Sequence, residues 1–261
     1  MKKLHTEKIT AVIPTYNEAY NLPQTISQLF GLNLPNFNIL VIDDNSPDNT
    51  ADIARRLSNK YNKRIEVIVR PQKSGLGTAY REGFQYAVDQ GSKVIIQLDA
   101  DLSHPISEIP SMLDKISLAD VVVGSRYIHS FWNFKPESGW PLHRRLLSSF
   151  GNLSIRLVSG LAINDSTSGF KVIKHNVLTN IDLEKFRCKG FGFQAEMAFK
   201  CQSKGYKTVE HPIEFVNRKK GYSKMNPMIV VESIWVLFYL RLNQLTRSSF
   251  NLNLKNRTLS D

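Results

Sequence analysis

Short apolar runs alternate along the chain with longer stretches in which apolar residues recur every three or four positions. Lys8–Pro14 (KITAVIP), Asn38–Ile42 (NILVI), Arg64–Arg70 (RIEVIVR), Val94–Leu98 (VIIQL) and Asp120–Tyr127 (DVVVGSRY) have the β-branched, aperiodic character of buried strands. Between them Leu22, Ile26, Leu29 and Phe30 recur at helical spacing and predict a helix over Leu22–Leu32. Further helices are predicted over Thr50–Tyr61, with Ser46 or Asp48 as its cap, and over Thr78–Gln90. This alternation is the mark of stacked βαβ units and an α/β fold with a mostly parallel sheet. Beyond it, Ser130–Pro141 reads as an aromatic, Gly/Pro-containing loop and Arg144–Ser159 as a helix. Asp165–Lys171 reads as a polar turn before a strand at Val172-Ile173. Phe191–Cys201 is helical in pattern and Thr208–Val216 extended. Arg218–Lys224 reads as a basic loop, Pro227–Gln244 as an apolar helix and Ser248–Asp261 as a polar tail.

Two predicted strands end in carboxylates, Asp43/Asp44 and Asp99/Asp101. In a parallel sheet both clusters fall on the carboxyl edge, where open α/β sheets bind ligands. Asp99 and Asp101 are separated only by Ala100, and like charges this close repel unless a cation intervenes. Oxygen ligands suit Mg²⁺ or Mn²⁺; a solvated turn at a strand end is the plainer alternative. No GxGxxG follows the first strand and no Walker A loop is present, so dinucleotide binding and ATP or GTP hydrolysis are poor readings.

Charge divides the chain. Of 261 residues, 1–140 carry 15 basic and 15 acidic side chains, whereas 141–261 carry 19 basic and 8 acidic, so the whole net charge of +11 lies in the second part. That part is expected to face something anionic: nucleic acid, an acidic membrane or a phosphorylated lipid. Nucleic acid explains none of the acidic strand ends and is set aside. Cys188 and Cys201, without CxxC spacing, read as reduced thiols of an intracellular protein. No apolar window is long enough for a membrane span, and the N-terminus lacks a signal-like stretch. The broad apolar stripe from Met228 to Leu242 fits either core burial or the membrane interface, with Trp235, Tyr239, Arg241 and Arg247 favouring the latter.

The motifs Pro14-Thr15-Tyr16-Asn17-Glu18, Asp43-Asp44-x-Ser46-Pro47-Asp48, Gly75-Leu76-Gly77-Thr78-Ala79-Tyr80 and Asp99-Ala100-Asp101-Leu102-Ser103-His104-Pro105 resemble those of dolichyl-phosphate mannosyltransferases, inverting glycosyltransferases of family 2 with a GT-A fold. Gly124-Ser125-Arg126-Tyr127, Arg144-Arg145-x-x-Ser148, Asp165-x-Thr167-Ser168-Gly169-Phe170, Gly192-Phe193-Gln194 and Arg218-x-x-Gly221-x-Ser223-Lys224 continue the match in order. The resemblance implies a GT-A catalytic domain over residues 1–226, with helices on both faces of the sheet. A C-terminal amphipathic helix over 227–247 and a tail over 248–261 would follow. It implies donor contacts from Pro14, Tyr16, Glu18, Ile42, Asp44, Asp99, Ala100 and Asp101, with Asp101 as the direct ligand of Mg²⁺ or Mn²⁺. It also implies phosphate-holding, catalytic roles for Arg126, Arg218 and Lys224 beside Asp101, and an acceptor-phosphate site at Arg144 and Ser148. The implied reaction moves mannose from GDP-mannose to dolichyl or another polyprenyl phosphate. It would take place on the cytoplasmic face of a membrane, with the protein bound peripherally. Transfer of glucose from UDP-glucose is the close alternative, because the motifs do not encode the sugar.

Overall fold

Strand β1 (Ile9–Thr15) lies at the heart of the sheet, and its residues are nearly all buried, as an aperiodic apolar run demands. In the computed structural model, which describes residues 7–127, 142–214, 234–244 and 246 (142–147 by backbone alone), seven strands form one sheet. The others are β2 (Phe37–Asp43), β3 (Ile65–Val69), β4 (Val94–Gln97), β5 (Val121–Ser125), β6 (Lys171–Lys174) and β7 (Thr208–Pro212), in the spatial order β3-β2-β1-β4-β6-β5-β7. Every neighbouring pair is parallel except those of β6, which runs antiparallel to both β4 and β5.

The period-two alternation of the strands sorts their side chains onto two apolar faces. Ile9, Ala11 and Ile13 of β1 pack with α1 (Leu22–Gly31), α2 (Thr50–Lys60) and α4 (Ile109–Lys115). Val12, Leu40 and Ile42 pack on the other face with α3 (Leu76–Asp89), α6 (His175–Asn180) and α7 (Phe193–Ser203). Helix α3 comes so near the sheet that a methyl group at Gly83 would lie 2.5 Å from Val12 Cγ1.

A third apolar cluster joins Ile155 of α5 (Leu142–Ser159), Ala195, Ala198 and Phe199 of α7, and Leu237 of a last helix, residues 234–244. Leu237 is wholly buried, whereas Trp235, Phe238, Tyr239 and Leu242 are exposed. The stripe of this helix is thus divided, one edge in the core and one outward. Among the described residues no helix is long and apolar enough to cross a membrane.

Two short helices escape the sequence pattern. Helix α4, following a 3₁₀ turn at Ile106–Glu108, has seven residues, and α6 has six, too few for a helical period to declare itself. The expected cap of α2 is also different. Asn49 occupies the N-cap position in a left-handed conformation without a side-chain cap bond, while Asp48 Oδ1 accepts the Thr50 amide from one residue further back.

Candidate active site

Four parallel strands, β1 to β4, end on one edge, and the acidic pair follows β4 there. Leu98 is buried, so the chain leaves the sheet with Asp99 and Asp101 on the open side and the Ala100 carbonyl accepting a bond from Thr25 Oγ1 of α1 (2.8 Å). Leu102 then adopts φ +63°, a costly conformation for a bulky residue and one that clusters at functional sites. That turn lets Asp101 Oδ1 accept both the amide (3.0 Å) and the hydroxyl (2.5 Å) of Ser103.

Asp99 is set from two sides. Its Oδ1 accepts the Tyr80 hydroxyl of α3 at 2.9 Å. Burial, reinforced by Asp99 itself, raises the Tyr80 phenol well above its ordinary value, so it remains a donor. The Asp99 amide donates to His104 Nδ1 at 3.1 Å, which leaves the ring proton on Nε2. Burial lowers the His104 pKa in spite of the nearby carboxylates, and the ring lies stacked on Phe170 with centroids 5.1 Å apart. His104 is a structural prop of the acidic turn.

The pair opens into a cavity of about 330 Å³ whose walls include Pro14, Tyr16, Glu18, Asp44, Asp99, Ala100 and Asp101. Seven of the eight donor residues expected from the sequence therefore come together. Ile42 does not line it: its side chain is fully buried and faces Gly83 of α3. Within the second acidic cluster only Asp44 reaches the cavity. Asp43 is spent on the hydroxyls of Thr15 and Ser46 (both 2.7 Å), and Asp48 on the Ala19 amide and on Thr50. Asp44 in turn is clasped by buried Arg70 at 2.8 Å.

Sequence reasoning missed Lys73, Gly190 and Phe191, which also line the cavity. The Lys73 ammonium sits 4.0 Å from the centre of the Tyr16 ring. These residues belong to loops distant in sequence, and each had only a neighbouring signal, Lys73 beside the Gly75-Leu76-Gly77 motif and Gly190 and Phe191 beside Gly192-Phe193-Gln194.

A second polar assembly grows from the ends of β5 and β6. Arg126 donates through Nε and Nη2 to both oxygens of Asp165 (2.7 Å each) and through Nη2 to Thr167 Oγ1 (2.9 Å). Burial by itself would lower the Arg126 pKa and raise that of Asp165. Their mutual attraction outweighs it, so Arg126 is raised and Asp165 held below the usual carboxylate range. Asn152 of α5 donates to Thr167 Oγ1 and to the Ser148 carbonyl, and the Ser148 hydroxyl is 2.6 Å from that of Tyr127. The structure thus joins Arg126 and Ser148 in one network. Arg144 lies one turn before Ser148 on α5, its side chain outside the described set, and Arg218 and Lys224 lie outside the described residues altogether.

Beneath both assemblies is Lys171, 1% exposed, donating to the Ser168 carbonyl and to Gln194 Oε1 (2.6 Å), which also accepts from Gln97 Nε2 (2.7 Å). Burial pulls this lysine down to about 8, opposed by the charges of Asp165, Cys201 and Asp99.

As a metal site the acidic turn fits a hard divalent cation completed by a ligand. Among the described residues no three His, Cys, Asp or Glu side chains form a cage, and Asp99 and Asp101 offer oxygen atoms at an open cavity. One or two carboxylates plus phosphate oxygens is the way such an ion is held beside a nucleotide.

Comparison with known proteins is decisive for the family. Residues 10–181 match the model of glycosyl transferase family 2. The chain belongs to that family. This glycosyltransferase is 37% identical over 227 residues to an undecaprenyl-phosphate mannosyltransferase of Micrococcus luteus, covering 87% of this chain and 91% of the relative. It is 36% identical to a polyprenol monophosphomannose synthase of Mycolicibacterium smegmatis, covering 88% and 85%. Among solved structures it resembles a mannosyltransferase from Pyrobaculum calidifontis in complex with GDP-mannose and Mn²⁺. There the TM-score is 0.56 at 13% identity, with 97% of this chain and 80% of the other covered. The architecture is the GT-A-like α/β fold.

Proposed function

We propose that this glycosyltransferase moves mannose from GDP-mannose to dolichyl or another polyprenyl phosphate, with inversion at the anomeric carbon. The observation that carries the reading is the meeting of Asp99 and Asp101 with Tyr16, Glu18 and Asp44 around one cavity at the carboxyl edge. The names of the two relatives above support the lipid phosphate and the sugar, and the GDP-mannose and Mn²⁺ bound in the structural neighbour support the donor and a divalent metal.

In this reading Asp101, oriented by Ser103, and Asp99, oriented by Tyr80 and His104, would hold Mg²⁺ or Mn²⁺. When bound, the ion neutralises charge on the departing diphosphate. Pro14, Tyr16, Glu18, Asp44 and Ala100 enclose the donor. A phosphate monoester is already anionic near neutral pH, with its second pKa near about 6, so the attacking oxygen needs no general base. Arg126 has its guanidinium plane fixed by Asp165, so its charge meets phosphate without reorganisation. Ser148 and Arg144 receive the acceptor phosphate, and Arg218 and Lys224 complete the cationic side. Lateral approach from a membrane surface on its cytoplasmic side suits an acceptor with a long apolar tail. The exposed Trp235, Phe238 and Leu242 supply apolar contact area of the right kind.

The test is transfer of radiolabel to an organic-extractable product from GDP-mannose and, separately, UDP-glucose, with a C55 polyprenyl phosphate and Mn²⁺. Label from GDP-mannose alone is expected. Label from UDP-glucose alone, or from neither, refutes the proposal.

A further inference from the structure

Glu196 is fully buried in the first turn of α7, and nothing in the proposed chemistry uses it. Its Oε2 accepts the backbone amides of Arg187 and Cys188, both at 2.9 Å, and its Oε1 accepts Arg187 again at 3.1 Å. Lys200 Nζ lies 3.6 Å from Oε1. Charge-assisted bonds of this type are roughly twice as strong as neutral ones.

What they hold has no regular structure of its own. Residues 187–189 run without helix or strand, and the segment leads into Gly190 and Phe191, which line the cavity. On its far side the segment is pressed against the start of α3. The Gly77 amide donates to the Lys189 carbonyl at 2.8 Å, and a methyl group at Gly75 would lie 2.6 Å from that same oxygen. Gly75, Leu76 and Ala79 also line the cavity, so the two pieces form one continuous wall. The Arg187 guanidinium lies 4.3 Å from the centre of the Tyr239 ring, which ties the segment to the last helix as well.

We infer that Glu196 is a positioning residue for the donor: its buried carboxylate fixes residues 187–191 as a wall of the cavity shared with Asp99 and Asp101. The inference rests on the reading of that cavity as the donor site. It assigns a role to a residue that touches no substrate, through a segment whose own sequence carries no element to hold it in place.

Glu196→Gln preserves size but replaces one acceptor oxygen with an NH₂ group facing backbone amides. The expected result is a roughly tenfold rise in the donor KM, and in the Kd of GDP with Mn²⁺, with the acceptor KM within about twofold of wild type. A folded variant with an unchanged donor KM, or with donor and acceptor KM raised alike, overturns the inference. Amide hydrogen exchange of the wild-type protein provides the second measurement and decides the matter if the variant does not fold. GDP with Mn²⁺ is expected to slow exchange in residues 187–191 as well as in 14–18. Slowing confined to 14–18 overturns the inference while leaving the donor site standing. A wild type that neither binds GDP nor transfers sugar removes the donor reading itself.

Discussion

Replacing Lys171 by Met should alter how stability depends on pH, in a direction and amount that the structure specifies. Burial brings this lysine from its ordinary 10.5 down to about 8 in the folded state. Below pH 8 both folded and unfolded chains carry the charge, and the folded state bears the full cost of enclosing it. As pH rises through the window from 8 to 10.5 the folded chain has lost the proton that the unfolded chain still binds, so stability rises with pH. Between pH 7 and pH 9.5 this single group contributes a gain of about 2 kcal/mol. Methionine is of similar length and does not titrate, so the wild-type-minus-variant difference isolates the effect from every other group. At any one pH that difference also contains the lost bonds to Gln194 and Ser168, which is why the change with pH is the quantity to measure. Urea unfolding followed by circular dichroism at pH 7 and pH 9.5 supplies it. The difference should move in favour of the wild type by about 2 kcal/mol. A difference that stays constant, or moves the other way, refutes the account of Lys171 as a buried ammonium.

Asp101→Ala should abolish transfer while leaving the far-ultraviolet circular dichroism unchanged; near-wild-type production of extractable label would remove the metal role. Asp165→Asn strands the Arg126 guanidinium beside a neutral amide and should cost about 3–5 kcal/mol in urea unfolding. Removing the arginine as well, in the Arg126→Met/Asp165→Asn double variant, should recover part of that loss, and a single-variant loss below about 1 kcal/mol would contradict a buried pair. Gly83→Ala should destabilise by about 1–3 kcal/mol, because its methyl group meets Val12 Cγ1 at 2.5 Å, and should leave the donor KM unaltered since the contact lies in the core. A thermal midpoint equal to that of the wild type would show that α3 shifts away at no cost.

The central strands were the most legible part of this molecule. ITAVIPT and VIIQ are buried on both faces, so their composition reports their place directly. Strand ends were legible too: carboxylates mark where such runs stop, and Asp44, Asp99 and Asp101, just past the ends of β2 and β4, line the cavity. What the pattern did not reveal depends on partners distant in the chain. Asp43 looks identical to Asp44 in sequence, yet the hydroxyls of Thr15 and Ser46 claim it for the turn. Lys171 looks like the polar end of a loop, yet Gln194 and Ser168 draw it into the core. Helix α6 has only Val177 and Leu178 buried, one step of a pattern that needs several.

The direction of β6 is the least legible feature and the one on which the site depends. A parallel strand brings its last residues to the carboxyl edge; an antiparallel strand brings its first. Because β6 runs opposite to β4, with Lys171 paired to Gln97, the segment that precedes it, Asp165 to Phe170, arrives where Asp99 leaves. Gly169 accordingly lies against Asp99 and His104, where a methyl group would stand 3.5 Å from both. β5 is parallel to β7 and antiparallel to β6, so it delivers Arg126 to the same edge, within reach of Asp165. Had β6 been parallel, residues 165–170 would enter from the opposite edge, and the Arg126–Asp165 pair could not form beside the acidic turn. One reversed strand therefore brings Asp165, from the basic part of the chain, to Arg126 and the acidic turn of the neutral part, and so sets a fixed guanidinium near the carboxylates, the juxtaposition that the proposed transfer between two anionic substrates requires.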